Sequence, residues 1–132
     1  MDWQGRIGRE LIGLVLLAVL LAAGLFTSWE MSRTHTAISR QLEDAAWFAL
    51  TEDWEKARTS LAAAESSWKH HWNLSSLLAD HTPMEEVDSL FARIGICSAA
   101  RDSTEFAIHC GEAARKVEAM GDAHRLSWQN LL

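Results

Sequence analysis

The chain has 132 residues, with 18 acidic against 12 basic side chains and a formal net charge of −6. That length holds one small domain, and an acidic chain without a concentrated basic stripe is a poor ligand for nucleic acid or other polyphosphates. One proline and seven glycines punctuate a many-turned sheet protein too sparsely, and two cysteines cannot make a cysteine-only zinc site or a disulfide scaffold. The composition fits an all-α protein: an N-terminal transmembrane helix followed by an antiparallel helical bundle of about four helices.

Residues 1–10 read as a short tail. Residues 11–26 carry no charge, and adding Thr27, Ser28 and Trp29 extends the uncharged stretch to 19 residues. That is long enough to span hydrocarbon, so residues 11–29 are expected to contact membrane lipid as an anchor. Trp3 and Trp29 bracket the stretch, about 39 Å apart on a helix, close to the spacing of the two bilayer interfaces. The competing reading is a cleaved signal peptide, with Arg6 and Arg9 as its positive region and Ala22-x-Gly24 as the cleavage site. The apolar run is long for a signal, no A-x-A pattern follows, and an amphipathic helix starts at once. The uncleaved anchor is preferred. Ala18 and Ala22, at i and i+4, suit close helix packing in a membrane, though alanine is common there.

Arg6 and Arg9 on one side are nearly balanced by Arg33 and Arg40 on the other. The placement of the hydrophobic stretch nevertheless favours a cytoplasmic N-terminus, with residues 30–132 outside as an exported helical bundle. From Glu30 onward there are 16 acidic and 10 basic residues, a balance that does not obstruct export.

Helical periodicity runs through nearly all of that region. Met31, His35, Ile38, Leu42, Ala45 and Ala49 recur at three- and four-residue spacing, predicting a helix that continues the anchor or follows a small bend. Thr51 and Asp53 offer caps at a short break. A second helix is predicted over about 52–78, with the stripe Trp54, Ala57, Leu61, Ala64, Trp68, Trp72, Ser75 and Leu78. Tryptophans alternating with alanines suit closely approaching helices; one ring of the Trp68 and Trp72 pair can face outward.

The clearest local signal spans residues 80–88. Thr82 can cap a helix, Pro83 suits its first position, and Glu85 completes a capping box. The third helix should run over 83–100 and bury Val87, Leu90, Phe91, Ile94 and Cys97. Asp102 and Glu105 repeat the cap-plus-glutamate spacing. A last helix then carries Phe106, Cys110, Ala113, Val117, Met120, His124, Trp128 and Leu131. Short connections favour antiparallel neighbours. Residues 53–57 look like the opening of a tetratricopeptide unit, but no second copy appears at the required period, so a repeat protein is rejected.

The pattern Asp53-Trp54-x-x-Ala57, with Leu61 and the Trp68 region, then Asp80-His81-x-x-x-Glu85-x-x-Asp88 and Leu126-x-x-x-Asn130-Leu131, resembles a bacterial family catalogued as domain of unknown function 4363. The resemblance covers most of the chain after the anchor and implies a membrane segment followed by a small exported helical domain. Pro83-Met84 departs from a more acidic family pattern, and Gly95, Gly111 and Gly121 make these helices less regular. The resemblance implies no activity.

Candidate chemistry is sparse. His81 and Glu85, with Asp80 or Asp88 and a histidine from the preceding helix (His70 or His71), are the best metal candidate. Helix capping and a polar turn explain the same residues more simply. Acid–base pairs read as solvated or capping groups, and no nucleophile elbow or phosphate loop is present. No catalytic residue, cofactor or metal ligand is therefore assigned, and an enzyme is not expected. Cys97 and Cys110 lie about one turn out of register across an ideal hairpin, which permits a disulfide only if the turn shifts. His124 falls on an apolar stripe as a core or interface histidine, and His109 beside it is expected to be exposed.

These readings leave two functional hypotheses. The first is a non-enzymatic, membrane-anchored interaction module with an envelope or membrane protein partner, or with a second copy of itself. It predicts a surface combining exposed Trp or Leu with acidic positions. The alternative is a membrane-tethered sensory domain for a small molecule or metal, using His70, His81, Glu85 or His124.

Overall fold

The computed structural model describes residues 3–75 and 82–131, with no side-chain description at Ser28, Met31, residues 73–75, Thr82 or residues 124–131. The described residues form four helices: α1 (Trp3–Leu50), α2 (Trp54–Ser75), α3 (Thr82–Ala100) and α4 (Ser103–Leu131). The chain divides into two compact units, Met1–Met31 and Ser32–Leu132.

In the first unit α1 carries an uncharged apolar stretch over residues 11–29, flanked by Arg6, Arg9 and Glu10 on one side and Glu30 on the other. It includes a window long and apolar enough to cross a membrane, none of it buried by the protein. Leu11, Ile12, Leu14, Leu16, Leu20 and Phe26 are all exposed, as is Trp29, whose ring lies 6.5 Å from that of Phe26. So much uncovered aliphatic surface is costly in water and costs nothing in lipid.

In the second unit the periodic apolar residues form one core. Ile38, Leu42, Ala45 and Ala49 of α1 are buried with Trp54, Ala57, Leu61, Ala64 and Trp68 of α2. α3 contributes Met84, Val87, Leu90, Phe91 and Ile94, and α4 contributes Phe106, Cys110, Ala113, Ala114 and Val117. Alanines recur where α1 and α2 face inward, and tryptophan rings fill the remaining volume. Trp54 meets Phe106 edge-to-face at 5.3 Å, and Trp68 stacks on Phe91 at 6.3 Å.

Two junctions are built alike. At the end of α1, Glu52 takes a left-handed φ of 61°. Its N–H donates to the Ala49 carbonyl, and the Asp53 N–H donates to that of Phe48 at 2.8 Å. At the end of α3, Arg101 has φ 53°, its N–H donates to Ser98, and the Asp102 N–H donates to Cys97. Both are Schellman caps. In each, the next aspartate starts the following helix: Asp53 Oδ1 accepts from the Lys56 N–H, and Asp102 Oδ1 from the Glu105 N–H. One residue thus closes one helix and opens another, so the chain reverses within three residues.

This corrects the predicted start of α2. Glu52 is not helical, because the reversal needs a left-handed residue there, and α2 begins at Trp54. The predicted end of α2 at Leu78 lies outside the described residues, as does the side chain of the Thr82 cap.

Candidate interaction surface

The two junctions meet at one end of the second unit, for which Arg58 is the tie. From α2 its Nε donates to Ser98 Oγ at 3.2 Å and its Nη2 to the Ser98 carbonyl at 3.3 Å. A cation thereby sits on the last carbonyls of α3, where the helix dipole favours it. Close by, Trp54 Nε1 donates to Glu52 Oε2 at 3.1 Å, fixing the first junction to the ring that packs on Phe106. Lys56 lies 5.7 Å over the Phe48 ring and 3.7 Å from Asp53.

Large apolar side chains are exposed near this end. Trp47 is 65% exposed and Leu50 55%, at i and i+3 on α1; Ile96 is 70% exposed on α3 and Ile108 52% on α4. Outside the apolar segment, these four are the large hydrophobics left uncovered among the described residues. Acidic residues surround the first pair: Glu43, Asp44, Glu52 and Glu55 are all exposed. The sequence reading missed Trp47, although its position was informative. It falls five residues after Leu42 and two after Ala45, off the buried stripe.

The opposite end is aromatic and buried. His35 of α1 and His71 of α2 are 4% and 5% exposed, and their rings meet edge-to-face at 4.5 Å. Trp68 lies 5.9 Å from His71, and the Trp68 Nε1 donor has no acceptor among the described residues. A Cβ on Gly121 would come within 3.2 Å of the His35 Cβ, so α4 passes closely here. Ser39 Oγ, also buried, donates to the Ala114 carbonyl at 3.4 Å.

The residues singled out around 80–88 scatter. Asp80 and His81 lie outside the described residues. Glu85, Glu86 and Asp88 are exposed, whereas Met84 is buried in the core. Glu85 and Glu86 line an open groove of ≈ 330 Å³ with Ser89, Arg93, Glu112 and Lys116. Lys116 Nζ donates to Glu86 Oε2 at 2.9 Å, and that bond is the main reason the ammonium is pushed above its ordinary pKa. His70 is exposed, and His71 turns to His35. The side chain of His124 lies outside the described residues. Among the described residues no three His, Cys, Asp or Glu side chains converge as metal ligands.

Two further outcomes concern α3 and α4. Cys97 and Cys110 are free thiols, the second fully buried. Burial is the main cause pushing Cys110 up to about 12, with Cys97 adding to it. Burial and the charges of Asp102 and Glu105 raise Cys97. His109 is not exposed as expected, since its side chain is only 19% accessible. It sits on one helix face between Glu105 (Nε2–Oε2 3.4 Å) and Glu112 (Nδ1–Oε2 3.8 Å), and both carboxylates cover it.

Comparison with known proteins returns a single kind of finding, a family match. A scan against protein families matches residues 25–131 to domain of unknown function (DUF4363), which spans the second unit up to its penultimate residue and the last residues of the apolar stretch. Searches of curated proteins and of solved structures returned no match. The apolar stretch before residue 25 rests on its own composition. The chain belongs to the family described as domain of unknown function DUF4363.

Proposed function

We propose that this chain is a non-enzymatic, single-pass membrane protein whose second unit is an antiparallel bundle of four helices that binds a membrane or envelope protein outside the cytoplasm. Residues 11–29 anchor it, with the N-terminus inside. The observation that carries the interaction reading is the exposure of Trp47 and Leu50 beside Glu43 and Asp44. A tryptophan two-thirds exposed on a folded helix, next to a second large apolar residue, is the composition of a binding anchor. The contact of His35 with Gly121 and the Ser39 to Ala114 bond support opposite directions for α1 and α4. The reversals of three and two residues support the same for α1 with α2 and for α3 with α4.

The test is in-situ crosslinking of the full-length protein in its native membrane, followed by mild solubilisation and purification. A reproducible, stoichiometric partner protein is expected. Recovery of solitary protein under several mild conditions would remove the interaction reading.

A further inference from the structure

We infer that the junction end of the helical unit docks a basic segment of another protein, one that inserts apolar side chains against Trp47, Leu50 and Ile108. This rests on the interaction reading above and names the chemistry of its partner.

The register places these three residues at one end. Ser39 of α1 bonds to Ala114 of α4. From that contact Trp47 lies eight residues up α1, about 12 Å, and Ile108 lies six residues back along α4, about 9 Å. Both displacements run towards the junctions, because His35 abuts Gly121 on the other side of the Ser39 contact. Between them α4 presents Gly111, where an added Cβ would meet nothing within 4 Å. The space beside Gly111 is open.

Charge decides the occupant. Glu43 and Asp44 lie one turn before Trp47, Glu52 follows Leu50 by two residues, and Glu55 opens α2; all four are exposed. Glu43, Asp44 and Glu55 enter no ion pair among the described residues. The nearby cations are partly committed, Lys56 to Asp53 and Arg58 to Ser98, leaving Arg101 at the second junction and Arg40 two turns before Trp47. An apolar patch rimmed by unpaired carboxylates complements a cationic amphipathic segment. A second copy would bring like-charged rims together, and an anionic lipid surface would be repelled.

The probe is a synthetic amphipathic helix of leucine and lysine, compared with its leucine and glutamate counterpart. Each is titrated against the full-length protein in zwitterionic nanodiscs, with empty nanodiscs as the blank. Saturable binding of the lysine peptide is expected, weakened about ten-fold or more by the pair Trp47→Ala and Leu50→Ala. The pair Glu43→Gln and Asp44→Asn should weaken it and flatten its salt dependence. Glu118→Gln with Asp88→Asn, both exposed and away from the junctions, should leave it unchanged. Circular dichroism of every variant separates lost binding from lost fold. Equal binding of the glutamate peptide, indifference to the Trp47 and Leu50 pair, or an equal loss in the Glu118 and Asp88 pair would overturn the inference. A stoichiometric native partner retained in full by the Trp47 and Leu50 variant would sink this docking face while leaving the interaction reading intact.

Discussion

Glu52 and Arg101 occupy equivalent places in two separate helix reversals, with φ of 61° and 53°. In each the preceding helix closes through the same two backbone bonds, and the aspartate that follows caps the next helix. Each side chain carries a Cβ into a left-handed conformation that glycine adopts freely. The tight reversal is retained despite that cost, because it brings consecutive helices together without a loop.

Arg101→Gly should therefore stabilise the protein. Relief of left-handed strain, less the greater freedom of glycine in the unfolded chain, leaves a gain of roughly 0.5–1 kcal/mol. Glu52→Gly should gain less, because it also removes the acceptor of Trp54 Nε1. Thermal unfolding of the full-length protein in detergent, followed by circular dichroism, should rank Arg101→Gly above Glu52→Gly. The reverse order would show that the Glu52 bond contributes nothing.

The helical glycines separate in the same assay. A Cβ at Gly95 or Gly111 meets nothing within 4 Å, so alanine there should recover helix propensity of up to about 1 kcal/mol. At Gly121 the new Cβ would press on the His35 Cβ at 3.2 Å, so α1 or α4 must give way. Gly121→Ala should melt below both other variants.

Arg58→Ala should cost about 1 kcal/mol, since a partly exposed cation loses two hydrogen bonds and the α3 carboxyl end loses its counter-charge. Ser98→Ala should cost less, because the carbonyl acceptor remains. Chemical denaturation midpoints for both variants check the order.

The two thiols should differ in reactivity. Cys97 is half-buried and Cys110 fully buried, with its pKa near 12. At neutral pH a maleimide should modify Cys97 first and Cys110 only on unfolding. An unfolded thiol ionises near 9.0, so the folded chain holds an extra proton between that value and about 12. Stability should fall as pH rises through that window, and Cys110→Ser should flatten the fall. Equal labelling rates in the native state would contradict the burial of Cys110.

Much of the fold was legible because core and period coincide. The stripes from Ile38 to Ala49, Trp54 to Trp68 and Phe106 to Val117 are spaced as the buried faces are. What escaped lies where local chemistry outweighs period. Glu52 looked helical because glutamate is a good helix former, yet the backbone reversal claims it. Met84 was hidden inside a polar capping motif, although it begins the run Met84, Val87, Phe91, Ile94 and Ser98. Ser39 is buried because it finds a carbonyl on another helix, a partner no single-chain pattern reveals. The surface was the least legible part. Trp47 lies off the periodic stripe of α1, but whether such a ring is covered depends on helices far away in sequence.

Binding of another protein at the junction end of the helical unit can be read in the membrane itself. A photoreactive amino acid placed at position 47 of the full-length protein in its native membrane tests it most directly, with position 62, exposed on α2, as the control. A discrete adduct to a second polypeptide is expected from position 47 and none from position 62. Adducts only to lipid or to the same chain, or identical adducts from both positions, would contradict it.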